Sequence, residues 1–298
     1  MITKSKIKHA TSDRIFYNVS AIFMLTLVLL IAYPLIYVVS ASFSSGNAVA
    51  GGKVLLWPVD LSLEGYKTVF RNHDFIRSFF NTIFYTITGA TLNVFMAMTC
   101  AYALSRANLK GRNFFMFIFA FTMFFNGGII PFYILLKNLH LLNTIWALIL
   151  PGALSVYNMI IARTFIQSNI PTELHESASM DGCSDIKYFF SIVLPLSKAV
   201  IAVIALFSAV HIWNSYFGAL MFLNKRDLYP VQIILREILV MNQIDTSTID
   251  PELQLKIAGL ADVLKYSLII VASAPILVVY PFVQKYFIKG VMIGSLKG

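Results

Sequence analysis

Val19 to Val39 reads VSAIFMLTLVLLIAYPLIYVV, 21 residues without a charge. A helix needs about 20 mostly apolar residues to cross the hydrocarbon core of a bilayer, and helices are the expected solution because lipid cannot satisfy exposed backbone groups. A basic start (Lys4, Lys6, Lys8, Arg14) precedes the run and the small residues Ser40, Ala41 and Ser42 follow it, as in a secretory signal. The run exceeds the roughly 7 to 15 residues of a signal core, so it reads as a retained membrane span. Outward from it, five further stretches meet the same test. The six run from Ile15 to Ser42, Ser78 to Leu104, Phe114 to Leu136, Thr144 to Ala162, Ala199 to Leu223 and Tyr266 to Gln284, with interiors free of Lys, Arg, Asp and Glu. The expected fold class is therefore an all-α polytopic membrane protein with six transmembrane helices.

Composition agrees: 58% of the 298 residues are apolar and 12% charged, whereas soluble domains run near a quarter charged. Lys and Arg in short loops stay in the cytoplasm. With the amino terminus inside, inner segments hold 13 of the 23 basic residues, including Arg106, Lys110 and Arg112 in one short turn. The remaining basic residues spread through two long loops, where the bias is weakly read. Both termini are expected in the cytoplasm. The expected organisation is a cytoplasmic tail 1–14, a transmembrane domain 15–290 and a cytoplasmic tail 291–298. Within the domain lie an outer loop 43–77, a cytoplasmic loop 163–198 and an outer loop 224–265.

The formal charge of +9 does not indicate nucleic acid, because the basic residues sit in short patches between apolar runs rather than on one face. Cys100 and Cys183 form no CxxC pair and no zinc spacing. HExxH and GxSxG motifs do not occur. The stretch Gly46-Asn47-Ala48-Val49-Ala50-Gly51-Gly52-Lys53-Val54 is the nearest thing to a phosphate loop, but it has an extra Gly before Lys53 and no Ser or Thr after it. ATP, if used, must bind to another chain.

The polar segment between the fourth and fifth spans holds ELHESASMDGCSDIKYFFSIVLP, Glu173 to Pro195. Pro171 is tolerated in a first turn and Thr172 can cap exposed amides, so a helix starts here. Glu173 and Glu176 sit near its positive end. Ser177 and Ala178 give a small-residue face, Asp181-Gly182 supplies a left-handed stop, and Ser184-Asp185 can cap a second helix through Phe189 and Phe190 to Pro195. On residues alone this is also an amphipathic hairpin lying on a membrane surface.

Glu173, Glu176, Ser177, Ala178, Asp181, Gly182, Ile192, Leu194 and Pro195 resemble, position by position, the cytoplasmic EAA loop of ABC importer permeases, with Ser177 and Cys183 standing where Ala is usual and Ala199 where Pro often follows. The resemblance implies a type I ABC importer permease architecture. In such proteins the loop docks as a coupling helix into an ATPase subunit and transmits nucleotide-driven closure. Ala101 to Arg106 with Lys110-Gly111-Arg112, Gly127 to Pro131, and Trp213-Asn214 look like the carbohydrate (maltose-type, smaller-subunit) class. Lys289 to Ser295 looks like a branch for complex or uronic-acid-containing oligosaccharides. The implied partners are a second permease subunit, two cytoplasmic ATPase subunits, an extracytoplasmic solute-binding protein, membrane lipid and a sugar or oligosaccharide. The resemblance implies no cofactor and no metal on this chain, with ATP and Mg on the ATPase partners and no catalytic residue here.

Polar residues within spans face a route or a neighbouring helix. Asn81, Tyr85, Asn93, Asn126, Tyr157, Asn158, Trp213 and Asn214 are the candidate pathway residues, since aromatic rings stack on sugars and amides bond hydroxyls. Interhelical packing is the plainer role for each, and His211, with no carboxylate or second His in its span, is read as structural. By the same resemblance, part of the stretch from Glu237 to Asp262 reaches toward the binding protein. The alternative class is an ion-gradient-driven secondary transporter, which commonly needs a charged residue at membrane depth that these spans lack.

Overall fold

The computed structural model describes residues 11–241 and 251–295, and the residues described are helical or in turns, with no strand among them. In chain order the helices are α1 (Thr11–Ser42), α2 (Gly46–Ala50), α3 (Glu64–Arg71), α4 (His73–Ser105), α5 (Arg112–Phe124), α6 (Ile129–Asn138), α7 (Trp146–Ile149), α8 (Val156–Asn169), α9 (Thr172–Met180) and α10 (Asp185–Tyr188). A π-helical turn (Phe189–Val193) leads into α11 (Leu194–Leu196), followed by α12 (Lys198–Trp213) and α13 (Phe217–Phe222). A 3₁₀ turn (Arg226–Leu228), α14 (Val231–Met241) and α15 (Pro251–Ser295) complete the described chain. Lys4, Lys6, Lys8, Lys297 and residues 242–250 of the expected outer loop lie outside the described residues.

All-helical architecture is what the apolar runs require, but fewer of them are straight rods than expected. α1, α4 and the Gly259–Pro281 part of α15 are each long and apolar enough to cross a membrane, and the number among the described residues rises to five if each of two bent helix pairs is one span. One bent pair is α5 with α6, turned by 113°. At this break Gly128 adopts a left-handed φ of +85° and its N–H donates to Asn126 Oδ1 (2.9 Å). The expected fourth span is interrupted between Ile149 and Val156 around Pro151-Gly152, where proline supplies no N–H, and α8 then runs on to Asn169. The expected fifth span stops at Trp213, where Asn214 folds its side-chain amide back onto the Val210 carbonyl (2.9 Å), and resumes as α13.

The two expected outer loops are more helical than their polarity indicates. α2, α3 and the first turns of α4 occupy the first, and α14 and the start of α15 occupy much of the second. Burial explains the difference: Val69 in α3 and Val231, Ile233 and Ile234 in α14 are buried, so each short helix hides one apolar face.

The chain forms two compact units, one from residues up to 71 together with 239–271, the other from 72–238 together with 272 onward. In the first, Ala41, Ala48, Val49, Val54 and Val263 form a small core. Beside it the backbones of Gly46 and Gly259 touch: a Cβ on Gly259 would lie 2.4 Å from the Gly46 carbonyl oxygen. The approach is possible only because neither residue has a side chain. In the second unit α4 packs along α8 and α12, again with a glycine at the closest point, since a Cβ on Gly89 would meet Ile212 Cδ1 at 2.8 Å. The core there runs from Ala97, Met98 and Ala101 through Met159, Ala162 and Ile166 to Val193, Val200 and Ile204.

Gly259→Val forces two backbones apart and is expected to lower stability by about 1–3 kcal/mol, the usual cost of overpacking. Gly127→Ala, where an added Cβ meets nothing within 4 Å, is expected to leave stability unchanged. Unfolding of both variants in detergent, followed by tryptophan fluorescence, measures the difference.

Candidate functional site

The α9–α10 hairpin is built as its residues dictate, with one exception. Pro171 rather than Thr172 occupies the N-cap, and no side chain caps the first turn. Proline suits this start because its missing N–H would be unsatisfied there in any case. Ser177 donates to the Glu173 carbonyl (2.9 Å), so its hydroxyl is absorbed by its own helix and the surface it presents stays small. At the far end Gly182 adopts φ +74°, with Gly182 N–H donating to the Ser179 carbonyl (3.0 Å) and Cys183 N–H to the Ala178 carbonyl (2.9 Å). Ser184 then caps α10 by accepting from Lys187 N–H. Pro195 cannot donate to the carbonyl four residues back, and just before it the ladder slips to the i→i+5 pattern, Leu194 N–H reaching the Phe189 carbonyl.

The hairpin has two chemically distinct faces. Ala178 and Cys183 are half-buried against the core, above the buried Tyr188, Phe189 and Val193. Glu173, Glu176, Ser177, Asp181 and Gly182 are exposed, together with Leu174, Met180 and Ile186, the last two 88% and 73% exposed. An acidic surface with apolar side chains standing out of it is unfavourable in water and suits a protein partner.

A cluster that the sequence did not reveal ties the hairpin to the end of α4. His175 Nε2 lies 2.9 Å from Asp185 Oδ1, across the glycine turn, and its ring meets Tyr188 edge-on at 4.9 Å. Tyr102, in the last turn of α4, donates its hydroxyl to the same Asp185 oxygen (3.3 Å) and packs its ring on Phe189 at 5.2 Å. The hydrogen bond from His175 holds the Asp185 carboxyl below its ordinary value; burial, the next largest effect, opposes this, and the Tyr102 bond and the His175 and Arg106 charges add to the lowering. A lowered carboxylate adds stability that is present above the ordinary carboxylate pKa and is lost as pH falls through the lowered value. Since the Asp185 side chain is 74% exposed, solvent screens the pair and its main effect is on orientation. The Leu104 carbonyl accepts from Arg163 Nε (3.0 Å), so the same end of α4 is also fastened to α8. No periodic pattern in the sequence relates Tyr102, His175 and Asp185.

The eight candidate pathway residues fall into three groups. Asn93 and Asn158 are buried and belong to a network with Ser208: Ser208 donates to Asn93 Oδ1 (2.7 Å), Asn158 Nδ2 donates to Asn93 Oδ1 (3.0 Å) and to Ser208 Oγ (3.1 Å), and Asn93 Nδ2 donates to the Gly152 carbonyl (2.9 Å). Asn81, Tyr85 and Trp213 also bond backbone carbonyls, of Asp227 and Tyr229, of Leu228, and of Ala272 respectively. Asn126 and Asn214 shape the breaks described above, and Tyr157 is exposed. Around Asn81 and Tyr85 the 3₁₀ turn is further held by an Arg77–Asp227 ion pair and by Arg226, which bridges Asp74 (2.6 Å) and Glu237 (3.2 Å). Among the described residues no three His, Cys, Asp or Glu side chains approach closely enough to hold a metal ion.

Comparison with known proteins places the chain in a family. Residues 93–293 match the family described as binding-protein-dependent transport system inner membrane component. The polygalacturonan/rhamnogalacturonan transport system permease protein YtcP of Bacillus subtilis (strain 168) is 40% identical over 299 residues, covering 98% of this chain and 100% of the relative. Protein LplC of the same organism is 42% identical over 272 residues, covering 89% of each. A chain in the crystal structure of a bacterial ABC transporter involved in the import of the acidic polysaccharide alginate superposes with a TM-score of 0.86 at 36% identity, covering 95% of this chain and 100% of that one.

Asn93→Leu leaves the Asn158 and Ser208 groups buried without their acceptor and is expected to cost about 1–3 kcal/mol. Replacing all three together (Asn93→Leu, Asn158→Leu, Ser208→Ala) is expected to cost less than the sum of the single changes, because no orphaned group remains. Equilibrium unfolding of the set tests the network.

Proposed function

The chain belongs to the family of binding-protein-dependent transport system inner membrane components, and from that premise we propose that α9 is the element through which a cytoplasmic ATPase drives import of an acidic oligosaccharide. The chain is a permease subunit of an ABC importer for sugars or oligosaccharides, embedded in the cell membrane, and the hydrolysis of ATP belongs to separate partner subunits. The observation that carries the coupling role is the exposed surface of α9. Glu173, Glu176 and Asp181 stand out beside Met180, while Ala178 and Cys183 root the hairpin in the core. A helix anchored on one side and uncovered on the other can receive a push without unfolding.

Under this reading two ATPase subunits close on ATP and Mg, the hairpin moves with them, and the spans open outward to a loaded binding protein. A second permease subunit completes the pathway. An apolar cleft of about 670 Å³ along α4 and α12, walled by Thr86, Ala90, Met98, Ile201 and Ala205, supports a face for that subunit. Six crossings with both termini inside, and the domain boundaries stated above, remain part of the proposal. Tyr157, exposed, and the amides at the helix breaks are the residues we place nearest the sugar. The acidic class of cargo rests on the relatives, which carry polygalacturonan, rhamnogalacturonan or alginate in their names. Part of the stretch from Glu237 to Asp262 is proposed to face the binding protein.

Gly182→Pro cannot adopt the left-handed φ, and Glu176→Lys reverses charge on the docking face. Both variants are expected to insert and accumulate normally yet lose uptake of labelled oligogalacturonate, with ATP hydrolysis no longer responding to the loaded binding protein. Normal uptake by both would remove the coupling role from α9. For the cargo, the cognate binding protein is expected to bind oligogalacturonate in calorimetry and to ignore neutral malto- and galacto-oligosaccharides; the opposite preference would exclude an acidic substrate.

A further inference from the structure

The hairpin reaches the transmembrane helices by two routes. One is the continuous chain through the π-helical turn and α11 into α12, and it bends by 80° between Leu196 and Lys198. The chain changes direction there, so α10 to α12 is not one straight rod. The other route is the cluster of Tyr102, His175 and Asp185. It joins the middle of α9 to α10 across the turn, and α10 to the last turn of α4, through one carboxylate oxygen that receives both His175 and Tyr102. Behind this oxygen the rings are in contact, His175 edge-on to Tyr188 at 4.9 Å and Tyr102 tilted against Phe189 at 5.2 Å. α4 is a single 33-residue helix, so a push at Tyr102 is delivered along the whole of it.

We propose that Tyr102, His175 and Asp185 are positioning residues that lock α9, α10 and the end of α4 into one rigid joint, and that coupling passes through this joint into α4 rather than along the bent chain into α12. The proposal rests on the coupling role of α9. The stacked rings resist compression, and the shared carboxylate fixes the angle between the two helices. Because Asp185 is on the surface, its loss leaves the core beneath intact, so folding and transmission can be separated.

The test uses the full complex, this chain with its partner permease and ATPase subunits in nanodiscs, with Cys100 and Cys183 replaced by Ser and spin labels at Ser179 and Ala107. The probe is Mg-ATP with vanadate, which needs no sugar. The 179–107 distance in the otherwise unaltered complex is expected to stay constant on trapping, whereas in Asp185→Ala it is expected to broaden, and stimulation of ATP hydrolysis by oligogalacturonate-loaded binding protein to fall about tenfold, a typical coupling loss. Tyr102→Phe, which keeps the ring and loses the hydroxyl, is expected to fall between the two. Combined with Asp185→Ala it should add nothing further, as expected for residues acting through one bond. ATPase subunits are expected to co-purify undiminished with every variant. A 179–107 distance that changes on trapping without any substitution, or undiminished stimulation in Asp185→Ala, overturns the joint and leaves the coupling role of α9 standing. Loss of the ATPase subunits from Asp185→Ala also overturns it, assigning the residue to docking. Failure of the coupling role shows separately, as normal uptake by Glu176→Lys and Gly182→Pro.

Discussion

Asn93, Asn158 and Ser208 hold α4, α8 and α12 together through hydrogen bonds that have no water to compete with them. Hydrocarbon offers no partner for an amide, and lipid is as apolar as the side chains it touches, so helices in a bilayer gain little from simply hiding Leu and Ile. What fixes their register is close packing at small residues and a few internal polar contacts. Gly89 against Ile212, with the amide network nearby, does both for this unit. The core from Ala97 to Ile204 follows from that alignment, and the hairpin rests on its lower end through Tyr188, Phe189 and Val193.

The same logic explains why polarity divides by depth. The interior network of Asn93, Asn158 and Ser208 is made of neutral amides and a hydroxyl, whereas the ion pairs of the 226–237 region, Arg77 with Asp227 and Arg226 with Asp74 and Glu237, are on exposed or half-buried side chains. A neutral amide can be buried at the cost of one well-placed hydrogen bond, but a charge needs a desolvated counter-charge and loses more than it gains. Carboxylates and guanidinium groups are therefore kept for the rims, where Asn81 and Tyr85 add direct bonds from α4 to the same turn.

The fold class was legible because it depends on run length and charge exclusion, which are local properties of the sequence. Helix continuity was not. The breaks at Asn126–Gly128 and Asn214 turn on a side-chain amide bonding a nearby backbone group, and such a residue looks the same in a sequence whether it lines a pathway or ends a helix. The short helices within the expected outer loops were not legible for a related reason: their apolar residues are few, and the burial of Val231, Ile233 and Ile234 depends on packing. The hairpin was readable almost residue by residue, since Gly182 and Ser184 act on their immediate neighbours. Its attachment to Tyr102 was not, because that contact joins residues 83 positions apart and depends on how α4 packs.

The proposed acidic cargo bears on how charge is distributed along the chain. The chain carries 23 basic and 14 acidic residues, yet none of the basic ones lies inside an expected span. In a low-dielectric passage a fixed cation would attract a uronate strongly, the Coulomb energy of a close pair rising steeply as water is removed. Strong attraction at one point is a trap, since passage requires binding weak enough to be undone at each step. The proposed route, lined by amides and aromatic rings, would offer many weak contacts instead. Under the proposed function, selection for charge belongs to the binding protein, which would hold its ligand in water and release it before translocation.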